Sequence, residues 1–183
     1  MKFLKILGAI VLLLIAALAA LVFLTKADYK VEREITINKP RSDVFSYAKM
    51  LKNQNDWGPW VKQDPNIKLN YKGNDGEPGF VSAWESNMEN VGVGEQEIKK
   101  IDEGKRIDSE LRFKKPFEST SQAYMTMEDA GPNATKVRWG LSGSMSRPMN
   151  LILLVMDMDK EIGKDFDAGL ANLKTILEKS QGN

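Results

Sequence analysis

A long uncharged segment near the N-terminus is the strongest constraint on how this chain folds. Residues 6–24 are 19 consecutive residues without a charged side chain. As an α-helix, such a segment extends about 28 Å, close to the hydrocarbon thickness of a bilayer. Lys2 and Lys5 precede it, whereas Lys26 after it is nearly offset by Asp28. The positive-inside rule then predicts one helix spanning the cytoplasmic membrane, with the N-terminus inside and the rest on the periplasmic or extracellular side.

A cleaved signal peptide is the alternative interpretation of the same segment. Its charged start, apolar stretch and small residues at 17–20 are typical of such peptides. The apolar character continues to Leu24, however, past the roughly 7 to 15 residues of a usual signal-peptide core. We therefore expect residues 1–28 to form a retained anchor with a short linker and residues 29–183 to form a separate domain. Cleavage would make that domain a secreted protein.

Two residue types are missing from the sequence, and their absence excludes several kinds of site. The chain has no cysteine and no histidine. Disulfides, thiolate nucleophiles, Ser-His-Asp triads and imidazole-bound zinc are therefore impossible. Residues 28–183 hold 23 basic and 25 acidic side chains, a formal charge of −2 that does not favour nucleic acid. We expect no cofactor and no nucleic-acid partner.

Alternation of apolar and polar residues predicts a sheet of about seven antiparallel strands. The first strand, residues 29–38, places Val31, Ile35 and Ile37 on one side, and Arg33 falls on that side too, where it would meet a buried acid or a ligand head group. A helix follows from Ser42. Six more strands joined by short turns are predicted at 67–71, 80–85, 92–101, 106–113, 118–128 and 135–141.

Apolar residues at every third or fourth position predict one long C-terminal helix from Arg147 to Lys179. Gly163 and Gly169 lie inside it, and glycine at such positions indicates close approach of the helix to the sheet or room for a ligand. The acidic series 157–167 superficially resembles a calcium loop. Ile and Ala stand where that loop needs its glycine and its last glutamate, so a solvated helix face is the better interpretation and no metal site is expected.

The order of these elements is that of the helix-grip fold, and the chain resembles the START-like (SRPBCC) superfamily over about residues 29–179. The branch it resembles is the one of polyketide cyclases/dehydrases and lipid transport proteins. Residues 31–40 leading to 43–45, the Trp57-Gly58-Pro59-Trp60 segment, and residues 166–174 carry the resemblance. The resemblance implies an α+β fold in which a curved antiparallel sheet wraps around the C-terminal helix and encloses a cavity for lipids, polyketides or other apolar molecules.

Aromatic, methionine and leucine side chains on the elements around that cavity are the candidate ligand contacts, with ordinary core packing as the alternative for each. They are Trp60, Trp84, Leu111, Tyr124, Met125, Trp139, Leu154 and Met158. Trp57 and Trp60 either gate the mouth of the cavity or fix their turn to the edge of the sheet.

The sequence thus predicts membrane-anchored, noncatalytic binding or transport of a hydrophobic or lipidic small molecule, with membrane contact through residues 6–24. Two alternatives stay open. One is a cyclase- or hydrolase-like enzyme that uses a cavity carboxylate such as Glu95, Glu97 or Glu110. The other is a protein-interaction module whose interior is filled by its own side chains; closed packing together with a large exposed apolar patch would favour it.

Overall fold

An apolar helix at the N-terminus precedes a seven-stranded sheet in the computed structural model of the chain, which describes residues 2–179. Helix α1, Lys2–Leu24, buries none of its residues. It is long and apolar enough to cross a membrane. A helix whose apolar side chains are exposed on all sides is compatible with a membrane span and with a signal anchor.

The sheet is an antiparallel meander whose first and last strands are neighbours. Its strands are β1 Asp28–Ile37, β2 Lys68–Lys72, β3 Val81–Glu85, β4 Val93–Asp102, β5 Arg106–Lys115, β6 Ser119–Gly131 and β7 Ala134–Ser144. The spatial order is β1-β7-β6-β5-β4-β3-β2, and each neighbouring pair is antiparallel. The expectation of seven strands is confirmed, and their ends agree with the alternation pattern to within a few residues.

Short helices cover one end of the sheet, and one long helix packs along it. Between β1 and β2 lie α2 Arg41–Ala48, a 3-10 turn at Leu51–Asn53, α3 Gln54–Trp57 and α4 Trp60–Gln63. Helix α5, Met158–Lys179, follows the sheet. It buries one stripe of residues, namely Gly163, Phe166, Gly169, Leu170, Leu173 and Leu177. The α+β helix-grip architecture is confirmed.

The expected start of the C-terminal helix at Arg147 is wrong by about three turns. A 3-10 segment occupies Met149–Leu154, and α5 begins only at Met158. The reason lies in Asp157, whose Oδ1 accepts a hydrogen bond of 3.2 Å from the backbone N–H of Lys160. This is the geometry of an N-cap residue, which satisfies an otherwise unpaired N–H of the first turn. One acid of the calcium-like series therefore starts the helix.

The side chain of Arg33 contacts α5 at Gly163. The Arg33 guanidinium donates to the carboxylates of Asp159 at 2.8 Å and Asp167 at 3.2 Å, both on α5. These acids are exposed, so the expectation of a buried acidic partner for Arg33 is wrong. A methyl group at Gly163 would overlap the guanidinium, and one at Gly169 would lie 2.9 Å from the ring of Trp139. Both glycines allow the close approach of α5 to the sheet.

We expect Gly163→Ala to lower the free energy of unfolding by up to about 1 kcal/mol, because the new methyl group displaces the Arg33 guanidinium from Asp159 and Asp167. In an Arg33→Ala background the same change should instead raise it by about 0.5–1 kcal/mol, since alanine is the better helix former. Urea unfolding of the full chain in detergent, followed by tryptophan fluorescence, measures both values. If Gly163→Ala lowered the free energy of unfolding equally in the wild type and in Arg33→Ala, the proposed contact between Gly163 and Arg33 would be contradicted.

Candidate functional site

The face of the sheet that packs against α5, here called the inner face, is the candidate site. Residues directly opposite each other in antiparallel strands share a face. Arg33 is opposite Trp139, which is opposite Met125, which is opposite Ile107. Because Arg33 contacts α5, this row and the residues two positions away on each strand belong to the inner face.

The inner face is closed at its distal end, the end of the turns at 103–105 and 131–133. The rings of Trp139 and Phe166 are stacked with centroids 3.9 Å apart, and Trp57 meets Trp139 edge-on at 5.0 Å. Trp57 is only 1% exposed, so it fixes its turn to the sheet as one of the two interpretations anticipated. Trp60 also packs edge-on against Trp139 at 5.7 Å.

The space left inside this packed region is small. A cavity of about 20 Å³ lies between α2, α3 and the sheet, room for about one water molecule. Gln54, Gln96 and Ser109 give it a partly polar lining. Trp57 also lines it, and within residues 2–179 no hydrogen-bond partner is found for its buried Nε1. The core side chains thus fill most of the cavity that the resemblance implies.

At the opposite, proximal end, where β1 begins and α1 ends, the inner face is less covered. Tyr29 is opposite Gly143, and across the next two strands follow Ser121 and Leu111. Tyr29 and Leu111 are half-buried. The Tyr29 hydroxyl lies over Gly143, 3.2 Å from the Ser121 hydroxyl. The side chain of Tyr29 thus fills the space that the small residues Gly143 and Ser121 leave on the sheet surface.

The next proximal row has the same character. Phe113 is opposite Gly94, and Gly94 is opposite Trp84, which in turn is opposite Leu69. Trp84 packs over Gly94 and meets Phe113 edge-on at 5.9 Å. Phe113, Trp84 and Leu69 are all half-buried. The proximal inner face therefore also carries half-buried apolar side chains, and at its β3 edge Gln63 at the end of α4 and Asp64 after it bind the turn at 86–92.

An open groove lies at the same end, between the start of β1 and the chain leading into α5. Its volume is about 480 Å³, within the roughly 300–1,000 Å³ typical of small-molecule sites. It is lined by Lys26, Asp28, Tyr29, Lys30 and residues 153–159. Among these, Leu154 and Val155 are 56% and 87% exposed. The groove combines an apolar floor with charged margins.

Seven of the eight expected ligand residues lie on the inner side of the molecule or in this groove. Met125 and Trp139 line the small cavity, and Trp60 packs beside it. Trp84 and Leu111 belong to the proximal rows. Of these five residues, Met125 and Trp139 are buried, whereas Trp60, Trp84 and Leu111 are half-buried.

The remaining three have different positions. Leu154 and Met158 line the open groove, with Leu154 in the 3-10 segment and not on a helix facing the sheet. The side chain of Tyr124 lies on the outer face of the sheet, over Gly140 and hydrogen-bonded to Glu32, although the residue also borders the small cavity. Burial raises the pKa of Tyr124. Since Met125 faces inward, its neighbour in a strand has to face outward.

Tyr29, Phe113 and Val155 are site residues that the sequence analysis missed. Tyr29 and Phe113 have the same alternation as Val31 and Leu111, and that signal could have found them. Val155 could not be identified from the sequence, because one continuous helix was expected from Arg147 to Lys179.

The candidate catalytic carboxylates do not reach the inner face. Glu95, Glu97 and Glu110 all bind Arg112 on the outer face, at 2.7, 2.7 and 2.6 Å. Arg112 lowers the pKa of Glu97 and Glu110, and Lys114 together with Arg112 lowers that of Glu95. These groups form an ion-pair network on the side of the sheet away from the cavity, so their role as cavity acids is wrong.

Asp64 is the only buried carboxylate of residues 2–179. It accepts hydrogen bonds from the Ser86 hydroxyl and from the backbone N–H of Asn66. These bonds join the loop after α4 to the turn after β3. Asp64 therefore has a structural explanation that needs no substrate.

A sequence model of the polyketide cyclase/dehydrase and lipid transport family matches residues 28–178. The chain belongs to this family. A search of curated proteins finds no significant relative. Norcoclaurine synthase of Thalictrum flavum, solved with dopamine and hydroxybenzaldehyde, is similar in structure at a TM-score of 0.64 and 7% identity, covering 87% of this chain and 91% of its own.

Two further solved structures share the fold. A hypothetical protein of Helicobacter pylori has a TM-score of 0.62 at 11% identity, with 82% of this chain and 88% of its own covered. Ara h 8.0201 has a TM-score of 0.54 at 16% identity, with 84% and 97% covered. At such identities the likeness establishes the helix-grip fold, and the family match establishes the kinship with hydrophobic-ligand proteins.

If the outer network is structural, Arg112→Met should lower the melting temperature at pH 7 by about 2–4 °C. The lowered pKa values of Glu95 and Glu97 mean that their pairing stabilises the fold above about pH 4 and is lost as the pH falls through the folded-state values. The difference from wild type should therefore shrink below about pH 4. Thermal unfolding from pH 3 to 8 measures it.

Lys100→Met is the matched control, since Lys100 is an exposed residue of the same strand pair and no ion pair of it is found among the described residues. It should show no pH-dependent difference. The electrostatic explanation would be contradicted if the melting temperature of Arg112→Met were lower than that of the wild type by the same amount at every pH.

Proposed function

We propose that this protein binds or transports a hydrophobic or lipidic small molecule, without transforming it, while anchored in the cytoplasmic membrane. In this proposal residues 1–28 are the retained anchor and linker, and residues 29–183 are the binding domain. Lys2 and Lys5 favour a cytoplasmic N-terminus, which sends the domain to the periplasmic or extracellular side. Cleavage after α1 would release the same domain as a secreted protein.

The observation that carries the proposal is the direction in which the inner face opens. The distal half is packed by Trp57, Trp139 and Phe166, whereas the proximal rows at Tyr29 and Leu111 stay half-buried. The proximal end is the one joined to α1, and only residues 25–27 separate α1 from β1. An opening held this close to a bilayer meets membrane-derived molecules at high effective concentration.

The charged groups near the groove support a noncatalytic role. Its carboxylates Asp28, Asp157 and Asp159 are exposed to water. Asp157 caps α5, and Asp159 is bound to Arg33, which lowers the Asp159 pKa. A general acid needs a raised pKa near neutrality, usually through burial, whereas these three carboxylates are exposed to water.

A protein-interaction module is the second candidate, because the interior is closed distally and apolar side chains are exposed at the proximal end. The two candidates differ in what the purified protein carries. An interaction module would stay free of lipid, whereas a lipid-binding domain would retain a molecule from the membrane.

The direct test is native mass spectrometry of the full chain released from nanodiscs made with a bacterial total lipid extract. We expect a bound apolar molecule on the wild type. Leu111→Asn should reduce its occupancy about tenfold, since burial of one leucine side chain is worth a factor of that order. Lipid extraction with quantitative mass spectrometry provides the second measurement.

Tyr124→Phe serves as the control, because Tyr124 is on the adjacent strand but on the outer face. It should bind as the wild type does. The proposal is wrong if the wild type is empty for every lipid class, or if Leu111→Asn and Tyr124→Phe are equally loaded.

A further inference from the structure

We infer that the proximal end of the domain is itself a membrane-contact surface, which inserts apolar side chains from two separate loops into the bilayer beside α1. This inference goes beyond the proposed function and rests on it in one respect, that α1 spans the membrane. The surface consists of the turn at 116–118, the segment 149–156 and the neighbouring turn at 86–92. We call it the proximal rim.

The distribution of exposed apolar residues carries the inference. Outside α1, six large hydrophobic side chains of the described chain are more than a third exposed. They are Met88, Phe117, Met149, Leu154, Val155 and Met156. All six belong to the proximal rim, and the turns at the distal end contribute none of the described ones. Apolar residues scattered singly over a surface need no explanation, whereas their concentration at one end marks an interaction site.

The strand register shows that these loops share one end. Asp28 at the start of β1 is opposite Ser144 at the end of β7. Lys115 at the end of β5 is opposite Val93 at the start of β4, which is opposite Glu85 at the end of β3. The turns that carry Met88 and Phe117 therefore leave the sheet on the same side as α1 and the segment after β7.

Hydrogen bonds place this end at the level of the membrane surface. Asn150, which is fully buried, donates from Nδ2 to the carbonyl oxygens of Val22 at 2.9 Å and Thr25 at 3.0 Å. Arg147 donates from Nε to the same Val22 oxygen at 3.3 Å. A helix of 23 residues extends about 34 Å, so its last turn reaches the interface of a bilayer about 30 Å thick. The segment bound to that turn lies at the same depth.

The occupant follows from this position and from the charges around it. Val155 is 87% exposed and Phe117 is 67% exposed, at the depth where a bilayer begins. Charges of both signs surround them: Lys26, Lys30, Lys114, Lys115 and Arg147, with Asp28, Glu89, Glu118 and Asp157. Because this mixture attracts no single sign of lipid head group, apolar insertion and not anionic-lipid binding is the mode of contact. The open rows of the inner face would then be directed toward lipid.

Depth-dependent fluorescence quenching tests the inference on the full chain. The sequence has no cysteine, so single variants can each be labelled with an environment-sensitive fluorophore. Phe117→Cys and Val155→Cys probe the two loops. Leu13→Cys probes the middle of α1, and Lys105→Cys, in the distal turn, is the matched exposed control. Each labelled protein is placed in phosphatidylcholine nanodiscs that contain nitroxide lipids.

We expect lipids with a nitroxide near the head group to quench labels at 117 and 155 at least about threefold more than the label at 105. Residue 117 is the critical position, because it is far from α1 in sequence. Aqueous iodide should quench the label at 105 more strongly than the labels at 117 and 155.

The outcomes separate the inference from the proposed function. The inference is overturned if nitroxides deep in the bilayer quench the label at residue 13 while the labels at 117 and 155 are quenched no more than the label at 105. In that case α1 still spans the bilayer. If the label at residue 13 is not quenched by deep nitroxides, the proposal that α1 spans the membrane is wrong. Labels at 117 and 155 that are open to iodide in nanodiscs and protected only by a co-purified protein would also overturn the inference and assign the proximal rim to a protein partner.

Discussion

The position of α5 against the sheet is the constraint on which the rest of the domain depends. Gly163 and Gly169, about 1.7 turns apart, let the helix backbone approach Arg33 and the ring of Trp139. This close approach brings Phe166 into stacking contact with Trp139. The same contact that stabilises the domain therefore fills its distal interior, and whatever space a ligand can use has to lie toward the other end.

Where α5 begins is equally important, and a single side chain fixes it. By capping the helix, Asp157 leaves residues 149–157 outside it. The freed segment binds the last turn of α1 through Asn150 and exposes Leu154 and Val155. A continuous helix from Arg147 would have carried these side chains along the sheet. The segment outside the helix thus contacts the last turn of α1 and lines the open groove.

Much of the fold could be predicted from the sequence because period-two alternation determines both the strands and their inward faces. The same rule, applied strictly, would have separated Tyr124 from Met125 and would have included Tyr29. The start of α5 could not be predicted from periodicity, since Leu151, Leu154 and Met158 continue the helical spacing across the 3-10 segment and the capping contact that precede α5. The outward position of Glu95, Glu97 and Glu110 follows from the same alternation, and only their pairing with Arg112 depends on the register of β4 with β5.

The filled interior also changes what kinship with a family of cavity-forming proteins means for this chain. A preformed distal cavity of about 20 Å³ admits a water molecule and not a lipid. An apolar ligand can gain burial without displacing the Trp139–Phe166 stack only at the proximal rows, where Trp84, Phe113 and Leu111 remain half-buried. Such a ligand would be covered on one side by the sheet and would need another surface on its other side. In the proposed arrangement, in which α1 spans a membrane and residues 25–27 join it to the domain, the bilayer would be the nearest surface that can provide it.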